Sequence, residues 1–221
     1  MHFVTSTQPA LALGIGGHTC TWGAHMCALY ESDAERDRLL CSVAHEGDLE
    51  GSLQVVGHSS SGPDPFIAAY GSRFPAEALH PKDPSRFEFH PTDQVYCGEG
   101  RFGLDTISRR WEAFHQKAQC EHRTIRLAAD MDWALRDVPG RELLIPYEAK
   151  LDDYLRDKPF LTICAYDLRR FSGATVMGVL RTHRFTISRG MVVENPYYDP
   201  HGWLDQYAPG LPPLGVAPAA G

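Results

Sequence analysis

The sequence predicts an α/β protein: a mostly parallel β-sheet covered by helices on both faces, with an antiparallel hairpin at one edge. Three observations carry that reading. Strand-like and helix-like segments alternate along most of the chain. Several strand segments, such as Phe160-Leu161-Thr162-Ile163-Cys164-Ala165-Tyr166, are apolar almost throughout, as strands buried on both faces are. The last two strand segments flank a short turn and not a helix.

The first strand runs from His25 to Tyr30. Ser32 then caps a helix, with Glu35 three residues on in a capping-box pattern, and Gly47 is expected to end it near His45. Leu53-Gln54-Val55-Val56 is a second strand. The stretch from His58 to Pro84 is rich in Ser, Gly and Pro and holds one helix around Phe66–Tyr70; it is the segment expected to move. Phe87-Glu88-Phe89 alternates as a third strand. Asp105 caps a longer helix through Ile107, Trp111, Phe114 and Ala118, whose spacing is helical.

A strand over Thr124–Ala129 runs into Asp130-Met131-Asp132-Trp133. A helix covers Arg141 to about Leu155, the apolar strand 160–166 ends at Asp167, and a helix follows from Gly173 to Arg181. Phe185–Ser188 and Met191–Glu194 form the hairpin around Arg189-Gly190. The expected organisation is an N-terminal extension over 1–20, one domain over 21–200, and a flexible tail over 201–221 that is rich in Pro, Gly and Ala.

Composition narrows the function. The 221 residues carry a net charge of −7 and no dense Lys/Arg cluster, which argues against direct nucleic-acid binding. No apolar run approaches the ~20 residues of a membrane helix, and the start lacks the basic residues of a signal peptide. A cytoplasmic protein is expected. The six cysteines are scattered without a C-x-x-C pair, unlike a secreted disulfide scaffold. No P-loop motif, G-x-G-x-x-G pattern or G-x-S-x-G elbow is present, so no residue set demands an enzyme.

The chemistry-bearing positions fall at expected strand ends. His25 and Cys27 alternate onto one face, as do Cys164 and Tyr166. With Asp130 and Asp167 they are expected to converge at the carboxyl rim of the sheet, where α/β proteins bind ligands. Trp133, Tyr147 and Phe171 are candidates to line an apolar pocket, and Glu148 either reaches the rim or faces solvent. Helix–sheet packing is the competing explanation for the aromatics, and helix capping for the aspartates. His18, Cys20, His25 and Cys27 form a near repeat that offers an alternative: a site for zinc or another transition metal, or a redox switch, if a turn at Gly23-Ala24 folds the pairs together.

Five segments resemble one family in order. His25-Met26-Cys27-Ala28-Leu29-Tyr30-Glu31 resembles the H-x-C-x-x-Y-E opening of the MEDS sensory domain, named for methanogens, methylotrophs and a dichloromethane-responsive repressor. Asp130-Met131-Asp132-Trp133-Ala134-Leu135, Tyr147-Glu148, Cys164-Ala165-Tyr166-Asp167 with Arg170-Phe171, and His183 with Glu194-Asn195-Pro196-Tyr197-Tyr198 are similar to its later motifs. The resemblance covers about Gly23 to Tyr198. It implies a three-layer RecA-like fold without a phosphate loop and a non-catalytic sensory role for small carbon compounds. It also implies output through a partner: a sensor kinase, an anti-sigma circuit or a transcription factor. The expected ligand contacts are His25, Cys27, Tyr30, Asp130, Trp133, Glu148, Cys164, Tyr166 and Asp167, with no cofactor.

Overall fold

The computed structural model describes residues 10–59, 62–211 and 213–214. A small antiparallel hairpin comes first, β1 (Leu11–Ala12) with β2 (Thr19–Cys20). The main sheet has seven strands: β3 (Ala24–Tyr30), β4 (Leu53–His58), β5 (Phe87–Pro91), β6 (Ile125–Asp130), β7 (Phe160–Asp167), β8 (Phe185–Ser188) and β9 (Met191–Glu194). Their spatial order is β5-β4-β6-β7-β3-β8-β9, and the β8–β9 pair alone is antiparallel. The helices are α1 (Asp33–Leu49), α2 (Asp64–Arg73), α3 (Thr92–Tyr96), α4 (Leu104–Cys120), α5 (Leu144–Leu155), α6 (Gly173–Thr182) and α7 (Pro200–Tyr207). The parallel sheet and its antiparallel edge are those the sequence predicts.

Strand alternation divides the core into two layers. On one side Cys27, Leu29, Cys164 and Tyr166 pack with Trp111 of α4, Leu151 of α5 and Val179 of α6. On the other, Met26, Ala28, Tyr30, Leu161, Ile163 and Ala165 pack with Leu39, Leu40 and Val43 of α1 and Phe66 and Tyr70 of α2. The central strands β3, β6 and β7 are buried almost throughout and are correspondingly rich in apolar residues.

Three local expectations are corrected. The first helix runs past Gly47 to Leu49, because Gly47 is needed for close packing and not for a turn. A Cβ there would collide with the side chains of Arg126 and Gln54; the left-handed turn falls instead at Gly51, with φ 81°. Of the expected extension over 1–20, the described residues 10–20 do not stand apart from the domain: Leu11, Leu13 and Ile15 are buried against the α1 layer. Residues 200–207, expected within a loose tail, form α7, because Asp199 caps it through Gly202 N–H, Pro200 fits its first turn and Leu204 is buried. The last residues of that tail lie mostly outside the described residues. Within 58–84, α2 buries Phe66 and Tyr70, and the two turns after it bring His80 onto Asp48 at 2.6 Å.

Candidate functional site

Four buried polar side chains from four elements meet between the sheet and α5. Strand β3 supplies His25, β7 supplies Cys164, α5 supplies Glu148, and His183 follows the end of α6. Each is at most 2% exposed. Glu148 Oε2 is the hub. It lies 3.1 Å from His25 Nε2, 3.6 Å from His183 Nε2 and 3.7 Å from Cys164 Sγ, and Cys164 Sγ lies 3.6 Å from His25 Nε2. The two imidazole centroids are 4.0 Å apart.

A second ring of contacts fixes these groups. The Tyr166 hydroxyl donates to Glu148 Oε1 at 2.6 Å. Asp152, one helical turn after Glu148, lies 3.7 Å from His25 Nδ1 and accepts a hydrogen bond from the Tyr198 hydroxyl at 2.6 Å. His183 Nδ1 faces the Val179 carbonyl at 2.8 Å, which makes it the N–H donor and leaves Nε2 as a bare lone pair. Asn195 holds the end of α6 by donating its amide to the carbonyls of Leu180 and His183. His25 Nδ1 and His183 Nε2 find no hydrogen-bond partner.

The electrostatics follow from this packing. Burial opposes the His25 imidazolium, but the Asp152 and Glu148 carboxylates outweigh it and raise His25 to about 9. Burial and the positive charge of His25 push His183 down to about 4. Glu148 is held below the usual carboxylate range, because His25, His183 and Tyr166 outweigh its burial. The Cys164 thiol is pushed well up by burial and by Glu148, and the Cys27 thiol is pushed up to about 12, so neither is an activated nucleophile.

An open cleft of about 460 Å³ lies beside His25 at the amino ends of the strands. Trp22, Gly23, Ala24, Asp152, Arg156, Phe185 and Tyr198 line it, and His25 forms part of its floor. The Gly23 turn, with φ 85°, starts β3 there and is pinned by Gly23 N–H donating to Phe160 O at 2.7 Å.

The expected site residues therefore separate into groups. His25, Glu148, Cys164 and Tyr166 are brought together as described. Cys27 shares their face but turns its sulfur toward Thr186 Oγ1, 3.5 Å away. The carboxyl-rim placement of His25 and Cys27 is corrected: His25 is only the second residue of β3, level with Thr162. A short apolar window does not fix where a strand begins. Tyr30, Asp130 and Asp167 do lie at carboxyl ends, on a different network. Tyr30 OH donates to Asp130 at 3.3 Å, Arg36 pairs with Asp130 at 3.3 Å, and Asp167 is bound by Arg169. Trp133 stacks between Tyr96 and Phe102, with centroids 4.9 and 4.7 Å away, in the aromatic core beside Tyr147.

The alternative metal set does not assemble either. Among the described residues, the group of metal-competent side chains that converges is His25, Glu148, Cys164 and His183. His18 is exposed, and Cys20 sits on β2, which pairs with β1 and does not fold over β3. Sequence reasoning noted His183 and Tyr198 in motifs without placing them in the site, and missed Asp152. The i, i+4 spacing from Glu148 was the available signal for Asp152.

At the opposite rim, the start of α1 is closed by the protein's own groups. Glu31 N–H donates to Glu35 Oε2 at 2.9 Å, Glu35 N–H donates to Ser32 Oγ at 3.2 Å, and Arg189 N–H donates to Glu35 Oε1 at 3.0 Å. Ser32 Oγ thus takes up one N–H of the first turn, and the Glu35 carboxylate, bound to N–H groups outside the helix, adds negative charge beside it.

The sheet order and layering define a RecA-like α/β protein. In fold it resembles the KaiC-like protein PH0186 of Pyrococcus horikoshii OT3, with TM-score 0.58, 12% identity and coverage of 82% of this chain and 80% of that one. It also resembles the ATP synthase subunit NeqB of Nanoarchaeum equitans, with TM-score 0.54, 13% identity and coverage of 82% and 50%. The profile of the methanogen/methylotroph, DcmR sensory domain matches residues 24–184, and the chain belongs to this MEDS family. It is 22% identical over 182 residues to the transcriptional repressor DcmR of Methylorubrum extorquens, covering 82% of this chain and 66% of that repressor, just under two thirds of its length.

Proposed function

We propose that this chain is a non-catalytic, cytoplasmic sensory domain. It takes a small carbon compound in the cleft above His25 and passes the resulting conformational change to a regulatory partner protein. The observation that carries the reading is the cleft itself: an open cavity lined in part by His25, one member of a buried, incompletely satisfied polar cluster. Its walls join β3, α5 and the segment after β9, through Gly23, Asp152 and Tyr198. A molecule that displaces the Tyr198–Asp152 contact favours one arrangement of these elements over another, which is what signalling requires. Family membership and the likeness to a transcriptional repressor support a regulatory output. The self-capped start of α1 and the unactivated thiols support a role without turnover. No helix of the described residues is long and apolar enough to cross a membrane.

The test is a titration of the full chain with methanol, formaldehyde, methylamine and dichloromethane. Melting temperature and the fluorescence of Trp22 in the cleft wall are followed, alongside assays for consumption of each compound and of ATP. At least one compound is expected to shift both signals without being consumed, and Thr21→Trp, which fills the cleft, is expected to abolish the shift. Silence of the folded wild-type chain toward every compound sinks the sensory reading, and steady consumption of a compound or of ATP sinks the non-catalytic one.

A further inference from the structure

We propose that His25, Glu148, Cys164 and His183 form a binding site for one divalent transition-metal ion of the zinc class. The first argument is geometric. Bonds of about 2.0 Å to nitrogen or oxygen and about 2.3 Å to sulfur, opened to the tetrahedral angle, separate ligand atoms by roughly 3.3–3.5 Å. Four of the six separations are 3.1, 3.6, 3.6 and 3.7 Å, and all four ligand atoms lie within 4.8 Å of one another. A shell of this size has its centre where a single ion fits.

The second argument is hydrogen-bond accounting. His183 Nδ1 gives its proton to the Val179 carbonyl at 2.8 Å, so Nε2 offers a lone pair. That lone pair points at Glu148 Oε2, another acceptor, 3.6 Å away, and it has no donor. Two acceptors facing each other in a dry interior repel unless a cation lies between them. An outer carbonyl fixing the tautomer of an imidazole is also the usual support of a metal-bound histidine. Tyr166 plays the same part for Glu148 by binding its other oxygen at 2.6 Å.

The third argument is charge. A thiolate, a carboxylate and two neutral imidazoles carry two negative charges, which a dication neutralises, so the filled site buries no net charge. Binding sends the protons of Cys164 Sγ and His25 Nε2 to solvent. The mixed nitrogen, sulfur and oxygen donor set suits zinc over magnesium or calcium, which take oxygen shells. The cleft beside His25 is the entry path. This inference stands apart from the sensory reading, since an ion can occupy the quartet whether or not a compound enters the cleft.

The experiment uses the full chain, stripped with chelator, checked for folding by circular dichroism, and titrated with zinc and with cobalt(II). One equivalent of either ion is expected to bind. Cobalt should give the visible bands of a tetrahedral ion together with a thiolate-to-cobalt charge-transfer band in the near ultraviolet. Cys164→Ser is expected to remove the charge-transfer band. His183→Gln is expected to weaken zinc binding by more than the roughly 10–100-fold that loss of an outer partner costs. His18→Ala, Cys20→Ser and Cys27→Ser are expected to leave binding unchanged. A folded wild-type chain that retains neither ion overturns the proposal, and so does binding that survives both quartet variants or disappears in Cys20→Ser.

Discussion

Tyr166→Phe removes one oxygen from the centre of the site and nothing else. The Tyr166 hydroxyl donates to Glu148 Oε1 at 2.6 Å, and both side chains are fully buried. The ring keeps its edge contact with Phe171, at 5.2 Å between centroids, so the packing cost is confined to one missing atom. What is lost is a hydrogen bond to a charged acceptor, and no solvent can replace it. Such bonds contribute about 1.5–3 kcal/mol, and the stranded carboxylate oxygen puts this case at the upper end, ~2–3 kcal/mol. For a chain of this size each kcal/mol moves the melting temperature by roughly 2–4 °C, so a drop of about 5–10 °C is expected. Tyr198→Phe is the control. Its hydroxyl also donates to a carboxylate, Asp152, at 2.6 Å, but it lines the open cleft, where water can take its place. That variant should lose no more than about 1 kcal/mol. Urea denaturation of the two variants and the wild type, followed by circular dichroism, reads the difference. If both variants lose the same amount, or Tyr166→Phe loses less than about 1 kcal/mol, burial of the Glu148 network is not what makes it costly, and the reasoning fails.

Three further outcomes follow from other parts of the fold. Burial and neighbouring Asp132 raise the Asp130 carboxyl from 3.8 to about 6, so its contribution to stability is present at low pH and is lost as pH rises through about 6. Asp130→Asn should therefore gain on the wild type between about pH 4 and pH 6.5, reaching ~1–2 kcal/mol at pH 8 after the lost Arg36 contact is offset; melts across that range check the sign. Gly47→Ala improves helix propensity but drives a methyl into Arg126, which is pinned to Glu50 and the Val43 carbonyl, so a net loss of about 1–3 kcal/mol is expected in urea denaturation. Under native conditions a coloured disulfide reagent should react quickly with exposed Cys120 and slowly with buried Cys27, Cys41 and Cys164; loss of the fast phase in Cys120→Ser confirms the assignment, and a fast phase that survives it contradicts the buried-thiol picture.

The strands were legible because burial on both faces leaves few sequence options. The segment 160–166 reads as an apolar run and 124–129 as one interrupted by Arg126, and β7 and β6 lie there. The hairpin was legible from Arg189-Gly190, whose positive φ values of 50° and 74° suit a tight turn between twisted strands. Gly47 misled because a glycine that ends a helix and one that admits a neighbour look alike in sequence. The face shared by Cys164 and Tyr166 followed from alternation alone, whereas the meeting of Glu148 with them did not. That contact depends on how α5 rotates against the sheet, and long-range packing sets the rotation. His183 was harder still: it lies between α6 and β8, where neither the strand period nor the helix period applies.

The position of the candidate site can be set against the start of α1. In an open parallel sheet the carboxyl rim attracts ligands because helix N-termini point their free N–H groups there. Here Ser32 Oγ accepts from Glu35 N–H, Asp33 and Glu35 add negative charge to the first turn, and Arg36 is committed to Asp37 and Asp130. An anion at that rim would face the negative charge of Asp33 and Glu35. Two of the buried polar atoms that lack a partner, His25 Nδ1 and His183 Nε2, lie under α5, and His25 helps to line an opening at the amino ends of the strands. A ligand or ion gains most where buried donors and acceptors still lack partners, because binding there removes a desolvation cost the fold already carries. The fold thus gathers its buried titratable cluster under α5, on β3 and β7, away from the rim at which α1 begins.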